Sequence, residues 1–174
     1  MKVVVISGSP RKDGLTQIPM RYVYDYVRGQ EPDTSFINLA DGDIECYRGY
    51  GIEYGDATTE AARLITEADV WLVGTPIYNS FFSGALKNLF EYINYKATAG
   101  KVAGMTILAA GNIGFTDVQT LLTQLLSYFR VIANPKAVYM TVDDVEGQAP
   151  GEQAAERLRE MADDTLQMAR RLRG

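Results

Sequence analysis

The sequence predicts an α/β fold: a doubly wound, three-layer sandwich around a five-stranded parallel sheet. Three observations carry that expectation. Short apolar runs alternate with longer segments of helical periodicity along the whole chain, and such alternation demands right-handed crossovers and parallel strands. The runs are apolar at consecutive positions, as in strands buried on both faces. Three of them end in turns of small or special residues, at the sheet edge where open α/β folds bind ligands.

The first strand is Val3-Val4-Val5-Ile6. It enters the turn Gly8-Ser9-Pro10-Arg11-Lys12-Asp13-Gly14-Leu15-Thr16. A helix over Gln17 to Arg28 follows, with Met20, Val23, Tyr24 and Val27 on one face. Thr16 reads as its N-cap, and Pro19 is tolerated in the first turn. Ser35–Leu39 is a shorter second strand, followed by a Gly- and Tyr-rich loop from about Ala40 to Asp56. A helix from Thr58 to Ala68 presents Ala61, Leu64, Ile65 and Ala68. Asp69–Gly74 is the third strand and ends at Thr75-Pro76-Ile77-Tyr78-Asn79-Ser80.

Ser83 reads as the N-cap of a helix reaching Asn94, with Leu86, Leu89, Phe90 and Ile93 inward. Val102 to Ala110 is the fourth strand and ends at Ala110-Gly111-Asn112-Ile113-Gly114. Thr116 and Gln119 fit a capping box for a helix carrying Val118, Leu121, Leu122, Leu125 and Phe129. Ala137 to Val142 is the fifth strand. Pro150 starts the closing helix, whose apolar face holds Leu158, Met161, Ala162, Thr165, Ala169 and Leu172. Five such strands point to the order 2-1-3-4-5. The ends of strands 1, 3 and 4 then lie side by side, and their turns form one site.

With 174 residues and no linker or repeat, one domain over 1–174 is expected, around a single sizeable core. The net charge of −5 suits solubility and disfavours a nucleic-acid partner. The single cysteine, Cys46, excludes an internal disulfide, and the absence of histidine excludes His-based triads and His metal sites. The chain opens directly on a strand, so no signal peptide is expected. No apolar run approaches membrane-spanning length, so no membrane association is expected and a cytoplasmic location is the default.

The first turn suits a phosphate. Backbone N–H groups of a tight turn converge on an anion, and a helix N-terminus adds its positive dipole end. Gly8 and Gly14 permit backbone paths that a Cβ would obstruct. Ser9 and Thr16 offer hydroxyls, and Arg11 offers a fixed cationic fork. A Walker A loop is excluded, because five residues separate the glycines and Leu15 stands where Lys is required. The fingerprint G-x-G-x-x-G is also absent. A solvated turn of Gly, Ser, Pro and Asp is the alternative.

Gly8-Ser9-Pro10-Arg11 through Gly14-x-Thr16 resembles the first loop of the NAD(P)H-dependent FMN reductase family, a flavodoxin-like group. Gly74-Thr75-Pro76-Ile77-Tyr78-Asn79-Ser80, then Ser83-Gly84-Ala85-Leu86-Lys87-Asn88, resembles that family's second segment. The two stretches lie far apart, and together they are much more specific than either alone. The resemblance implies a flavodoxin-like sandwich that binds FMN and uses NAD(P)H as co-substrate. It implies a small-molecule electron acceptor such as free flavin or a quinone, and a homodimer or homotetramer with the flavin near a subunit interface.

On this reading Ser9, Arg11 and Thr16 meet the FMN phosphate, with Gln17 as a backbone donor. Pro76, Ile77, Tyr78, Asn79 and Ser80 carry the ring, and Gly111 and Asn112 approach its pyrimidine end. Ser83 serves mainly as a helix cap. The family usually has a small polar residue where Leu15 stands. No residue of the chain is assigned as catalytic, since the flavin carries the chemistry. The related iron–sulfur flavoproteins hold a cluster in the long loop, but Cys46 alone cannot supply four thiolates, so no metal is expected. Cys46 reads instead as a small, partly buried hydrophobe. Tyr47, Tyr50 and Tyr54 line either a flavin edge or a subunit contact. The rival readings are a flavodoxin-like FMN electron carrier without nicotinamide turnover, and a non-enzymatic binding module.

Overall fold

The computed structural model describes residues 1–174. Its parallel strands are β1 (Val3–Ser7), β2 (Thr34–Asn38), β3 (Val70–Tyr78) and β5 (Val102–Ala109). The short pieces β6 (Ile132–Ala133) and β7 (Val138–Thr141) also run parallel, and β4 (Phe81–Phe82) folds back antiparallel on β3. The helices are α1 (Gln17–Arg28), α2 (Asp56–Glu67), α3 (Gly84–Glu91), α4 (Phe115–Tyr128) and α5 (Glu152–Arg173). A hairpin of β8 (Val145–Glu146) and β9 (Ala149–Pro150) precedes α5.

The sheet order is β2-β1-β3-β5, with β6 and β7 sharing the fifth place against β5. This is the flavodoxin-like order expected from the sequence. The difference is that the fifth strand is split. Asn134, Pro135 and Lys136 interrupt it: Pro135 has no N–H to give, and the Asn134 Oδ1 accepts from the Lys136 N–H at 2.9 Å. Buried Asn134 is held by α5, donating to Thr165 Oγ1 at 3.0 Å. β5 also carries Gly104 because α5 lies against it. A Cβ there would stand 2.4 Å from Met161 Sδ and 2.7 Å from Thr165 Oγ1.

Consecutive strand residues face opposite layers, which is why the runs are apolar without a break. Val3 and Val5 pack with Met20, Val23 and Val27 of α1 and Leu158, Met161 and Leu166 of α5. Val4 and Ile6 pack on the other face with Ile65 of α2, Leu86 and Leu89 of α3, and Val118 and Leu122 of α4. Trp71 is fully buried in that second layer and donates its indole N–H to the Ile65 carbonyl at 2.9 Å.

Three helix starts differ from expectation. Thr16 is already helical and its side chain makes no capping bond. The Ile18 N–H bonds the Leu15 carbonyl at 3.1 Å, so the chain is wound one turn before α1 proper. Thr116 and Gln119 form no capping box, because Gly114, at φ 88°, precedes α4 and Thr116 lies inside it. Gln119 instead donates to the Pro135 carbonyl at 3.1 Å. Pro150 belongs to the β8–β9 hairpin, and Gly151 is the residue before α5. Leu172, placed inward by its spacing, is exposed in the last turn.

β3 is longer than its apolar run suggests. It continues through Pro76 and Ile77 to Tyr78, and Pro76 pairs in register with Leu108. Beyond Gly74 it has outrun β1, whose last paired residue is Ser7. The second motif is therefore the protruding end of a strand and its hairpin.

Candidate functional site

The first turn is locked to the second. The Gly8 N–H donates to the Gly74 carbonyl at 2.8 Å, and a Cβ on Gly8 would lie 2.6 Å from that oxygen. Only glycine fits this approach. The Ser83 hydroxyl donates to the Gly8 carbonyl and accepts the Leu86 N–H at 3.0 Å. Ser83 is thus the expected α3 cap, and it also bolts the two motifs together.

Inside the first turn the Gly14 N–H donates to the Arg11 carbonyl at 3.0 Å. Gly14 must lack a side chain, since its Cβ would stand 2.6 Å from Ser9 Oγ. Ser9 is 1% exposed. Its hydroxyl accepts the Arg11 N–H at 3.3 Å and shares a hydrogen bond with the Tyr78 hydroxyl at 3.2 Å. Gln17 clasps the turn from outside, donating its side-chain amide to the Lys12 carbonyl at 3.0 Å.

This folding leaves three consecutive backbone donors without a partner. The N–H groups of Leu15, Thr16 and Gln17 bond to no carbonyl or side chain of the protein. They stand at the head of α1, where the helix dipole is positive. Thr16 is 1% exposed and its side chain makes no capping bond. Arg11 stands beside them with a two-pronged contact to Asp13, Nε to Oδ1 at 3.2 Å and Nη2 to Oδ2 at 3.0 Å. The Arg11 guanidinium holds the Asp13 carboxyl below the usual carboxylate range. Both side chains are exposed, so the pair contributes little to stability and is free to exchange for another anion.

These groups open into a cleft of about 230 Å³. Ser9, Arg11, Asp13, Gly14, Leu15 and Thr16 form one side, and Pro76, Ile77 and Tyr78 of β3 form the other. Leu108 and Ala110 at the end of β5, with Val142 after β7, complete the apolar wall. Ser9, Arg11, Thr16, Pro76, Ile77 and Tyr78, all expected at the site from the sequence, lie together here. Gln17 stands just behind the turn.

Asn79, Ser80, Gly111 and Asn112 do not line the cleft. Asn79 and Ser80, at φ 50° and 64°, form the two-residue bend of the β3–β4 hairpin, a turn that needs positive φ at both positions. Gly111 and Asn112 lie exposed in the bend after β5. Asp13, Leu108 and Val142 were missed. Leu108 had a signal: it lies two residues from Ala110 at the end of a strand already assigned to the site.

The Tyr-rich loop runs from Gly42 to Gly55 without regular structure. Cys46 is exposed there, not partly buried as expected, while Tyr47 and Tyr54 pack on Tyr92 just after α3 and Tyr50 stays exposed. None of its residues lines the cleft.

Free backbone donors beside a flat apolar wall, at the switch point of a doubly wound sheet, are what an FMN-dependent oxidoreductase requires of its protein. The residues present fit that group: donors and Arg11 for the phosphate, Pro76, Ile77 and Leu108 for a ring. Comparison with known sequences agrees. The pattern of the NADPH-dependent FMN reductase family matches residues 1–146, and the chain belongs to that family.

Among its relatives, an NADPH azoreductase of Bacillus sp. (strain OY1-2) is 30% identical over 155 residues, covering 88% of this chain and 84% of that one. An NAD(P)H-dependent FAD/FMN reductase of Geobacillus thermodenitrificans is 31% identical over 114 residues, covering 65% of this chain and 62% of that one. In architecture the chain is similar to FerB, a flavoenzyme NAD(P)H:(acceptor) oxidoreductase from Paracoccus denitrificans. The TM-score is 0.78 at 23% identity, over 98% of this chain and 97% of that one.

Proposed function

We propose that the protein is an FMN-dependent oxidoreductase that takes reducing equivalents from NAD(P)H and delivers them to a small acceptor such as free flavin, a quinone or an azo compound. One observation carries this reading: the three free N–H groups of Leu15, Thr16 and Gln17, with Thr16 and Arg11, beside the wall of Pro76, Ile77 and Leu108. FMN, when bound, supplies the hydride chemistry at its ring. The chain's residues bind and orient. The free N–H groups and Thr16 hold the phosphate, and Arg11 exchanges Asp13 for it. Tyr78, fixed by Ser9, would hold the ring at the cleft wall.

The size of the cleft supports a reductase. At about 230 Å³ it falls below the roughly 300–1,000 Å³ of sites that enclose a whole ligand. It would grip the phosphate and one edge of a tricyclic ring and leave a ring face open to a nicotinamide. The azoreductase and FMN reductase relatives support the acceptor class.

The exposed Phe81 stands on β4 and the exposed Ile113 in the bend after β5, both at the carboxyl edge of the sheet. They support a homodimer or homotetramer with the flavin near a subunit interface. No helix is long and apolar enough to cross a membrane, and the acidic composition is in keeping with a cytoplasmic enzyme without nucleic-acid partners. The test is direct. Purified protein should carry FMN and oxidise NADPH or NADH with a quinone or free FMN as acceptor. A protein that binds FMN yet shows no nucleotide oxidation with any acceptor would be a carrier instead.

A further inference from the structure

Val142 stands in the apolar wall of the first cleft with Leu108 and Ala110, yet it belongs to no strand. It opens a short 3-10 turn, Val142–Asp144, that leaves the end of β7. β7 lies at the edge of the sheet and pairs only with β5, Thr141 lying opposite Ala109. The Val142 side chain is 39% exposed. Packing alone does not hold an apolar side chain that is this open on a turn at a sheet edge.

The turn is held by one carboxylate and one guanidinium. Asp144 Oδ2 accepts the Thr141 N–H at 2.7 Å and the Thr141 hydroxyl at 3.2 Å, which closes the chain around Val142. The Asp144 carbonyl accepts the Gly151 N–H at 2.9 Å, at the head of α5. Arg157, further along α5, spans the rest. Its Nη2 donates to Asp144 Oδ1 at 2.7 Å, and its Nη1 donates to the Tyr139 carbonyl at 2.7 Å. A planar guanidinium fixes two acceptors relative to each other, as a single-point donor does not. The strand at Tyr139 and the end of the turn at Asp144 are thereby clamped to one helix, and Val142 lies between them. Neither Arg157 nor Asp144 lines the cleft. The Asp144 side chain is 27% exposed, against 78% for Asp13 in the pair at the first turn, so this pair is less screened by solvent.

We propose that Arg157 is a positioning residue for the first cleft: through Asp144 it holds Val142 in the wall, and so sets how closely the protein covers the flavin ring. The assignment rests on the reading of the first cleft as the FMN site. Covering Val142 with a flat ring takes apolar surface out of water, and that gain requires the turn to keep Val142 in place. Arg157 therefore acts on the ring side of the site and Arg11 on the phosphate side. Two ligands that differ only in the phosphate separate the two roles.

The experiment titrates the full-length apoprotein with FMN and with riboflavin, followed by fluorescence quenching. The variants are Arg157→Met, Asp144→Asn and Val142→Ala, with each of the first two also combined with Val142→Ala. Met keeps the reach of the Arg157 side chain without its donors, and Asn keeps the shape of Asp144 with one acceptor oxygen fewer. Glu160→Gln is the control, since it breaks another ion pair of α5, to Lys136 at 2.8 Å, whose residues do not line the cleft.

Val142→Ala should weaken both ligands about five-fold, the worth of one to two methylenes returned to water. Arg157→Met and Asp144→Asn should each weaken FMN and riboflavin by a common factor of about three to five. In the double variants the loss should stay within about two-fold of Val142→Ala alone, because the clamp acts through Val142, whereas independent effects would multiply to about fifteen-fold or more. Glu160→Gln should leave both affinities unchanged. Losses that multiply, losses confined to FMN, unchanged affinity in Arg157→Met and Asp144→Asn, or an equal loss in Glu160→Gln would each overturn the assignment and leave the proposed function standing. If Arg157→Met does not fold, Asp144→Asn and its double variant decide the question by the same criteria. Failure of the wild type to bind either flavin would overturn the assignment and the proposed function together.

Discussion

The Gly8–Thr16 turn and the Gly42–Gly55 loop both follow a strand at the carboxyl edge of the sheet, and both are rich in glycine and polar residues. They spend their polar groups in opposite ways. In the turn, the N–H groups of Leu15, Thr16 and Gln17 stay free. In the loop, Glu45 alone accepts from Asn88 Nδ2 at 2.7 Å and the Tyr92 hydroxyl at 2.8 Å, and gives its N–H to Thr58 at 3.0 Å. Its carboxylate takes the Gly55 N–H and Arg48. Asn88 also receives the Tyr47 N–H at 2.8 Å. Tyr47, Tyr54 and Tyr92 then pack edge to face, with centroids 4.8 and 5.3 Å apart for the two contacts to Tyr92. One segment is built to receive a ligand, and the other is consumed by its own cross-links.

The largest effect should come from breaking the turn at its root. Gly8→Ala drives a Cβ into the Gly74 carbonyl. Overpacking of this kind costs about 1–3 kcal/mol, and it forces apart the two motifs that build the cleft. Calorimetry should show a lower melting temperature, and the purified protein should be colourless.

Arg11→Ala should weaken FMN about ten- to hundred-fold, as expected for a charge-assisted contact, while riboflavin is weakened far less. The melting temperature should not move, because the Arg11–Asp13 pair is exposed. Equal losses for FMN and riboflavin would remove Arg11 from the phosphate.

Asn88→Ala is the counterpart in the loop. It deletes both bonds to the Glu45–Tyr47 backbone and should cost about 1–2 kcal/mol. Proteolysis within residues 42–55 should accelerate while FMN affinity stays nearly constant. A parallel loss of FMN would mean that the loop serves the site after all.

The smallest effect has the opposite sign. Asp13→Asn removes the carboxylate that competes with the phosphate for Arg11 and should tighten FMN about two- to five-fold, the size of an exposed ion pair. Titration followed by fluorescence quenching resolves a change of that size.

The contrast also explains what could be read from the sequence. The parallel strands were legible because burial on both faces makes them continuously apolar, as at Val3–Ile6 and Val70–Val73. The end of β3 was not, because Thr75 and Pro76 read as the turn after the strand, whereas β3 runs on past the end of β1 at Ser7 as far as Tyr78. The split fifth strand depended on Asn134 finding Thr165, far along the chain. At the site, the glycines and the Arg11–Thr16 turn were visible since their chemistry is local. The roles of Asn79 and Ser80 were not, since both the hairpin and the ring account for polar residues there. The loop was opaque for the same reason as Asn134: Glu45 meets its partners on α3 only after folding.

The central claim is that the first cleft holds FMN with one ring face open to a nicotinamide. Stopped-flow absorbance of the anaerobic FMN-loaded protein mixed with NADPH or NADH tests it most directly. The account predicts single-step, two-electron bleaching of the flavin band, and recovery of colour with sustained turnover once a quinone or free FMN is added. A flavin band that stays unchanged for minutes at millimolar nucleotide, yet bleaches with dithionite, would contradict it and leave only an FMN-binding fold.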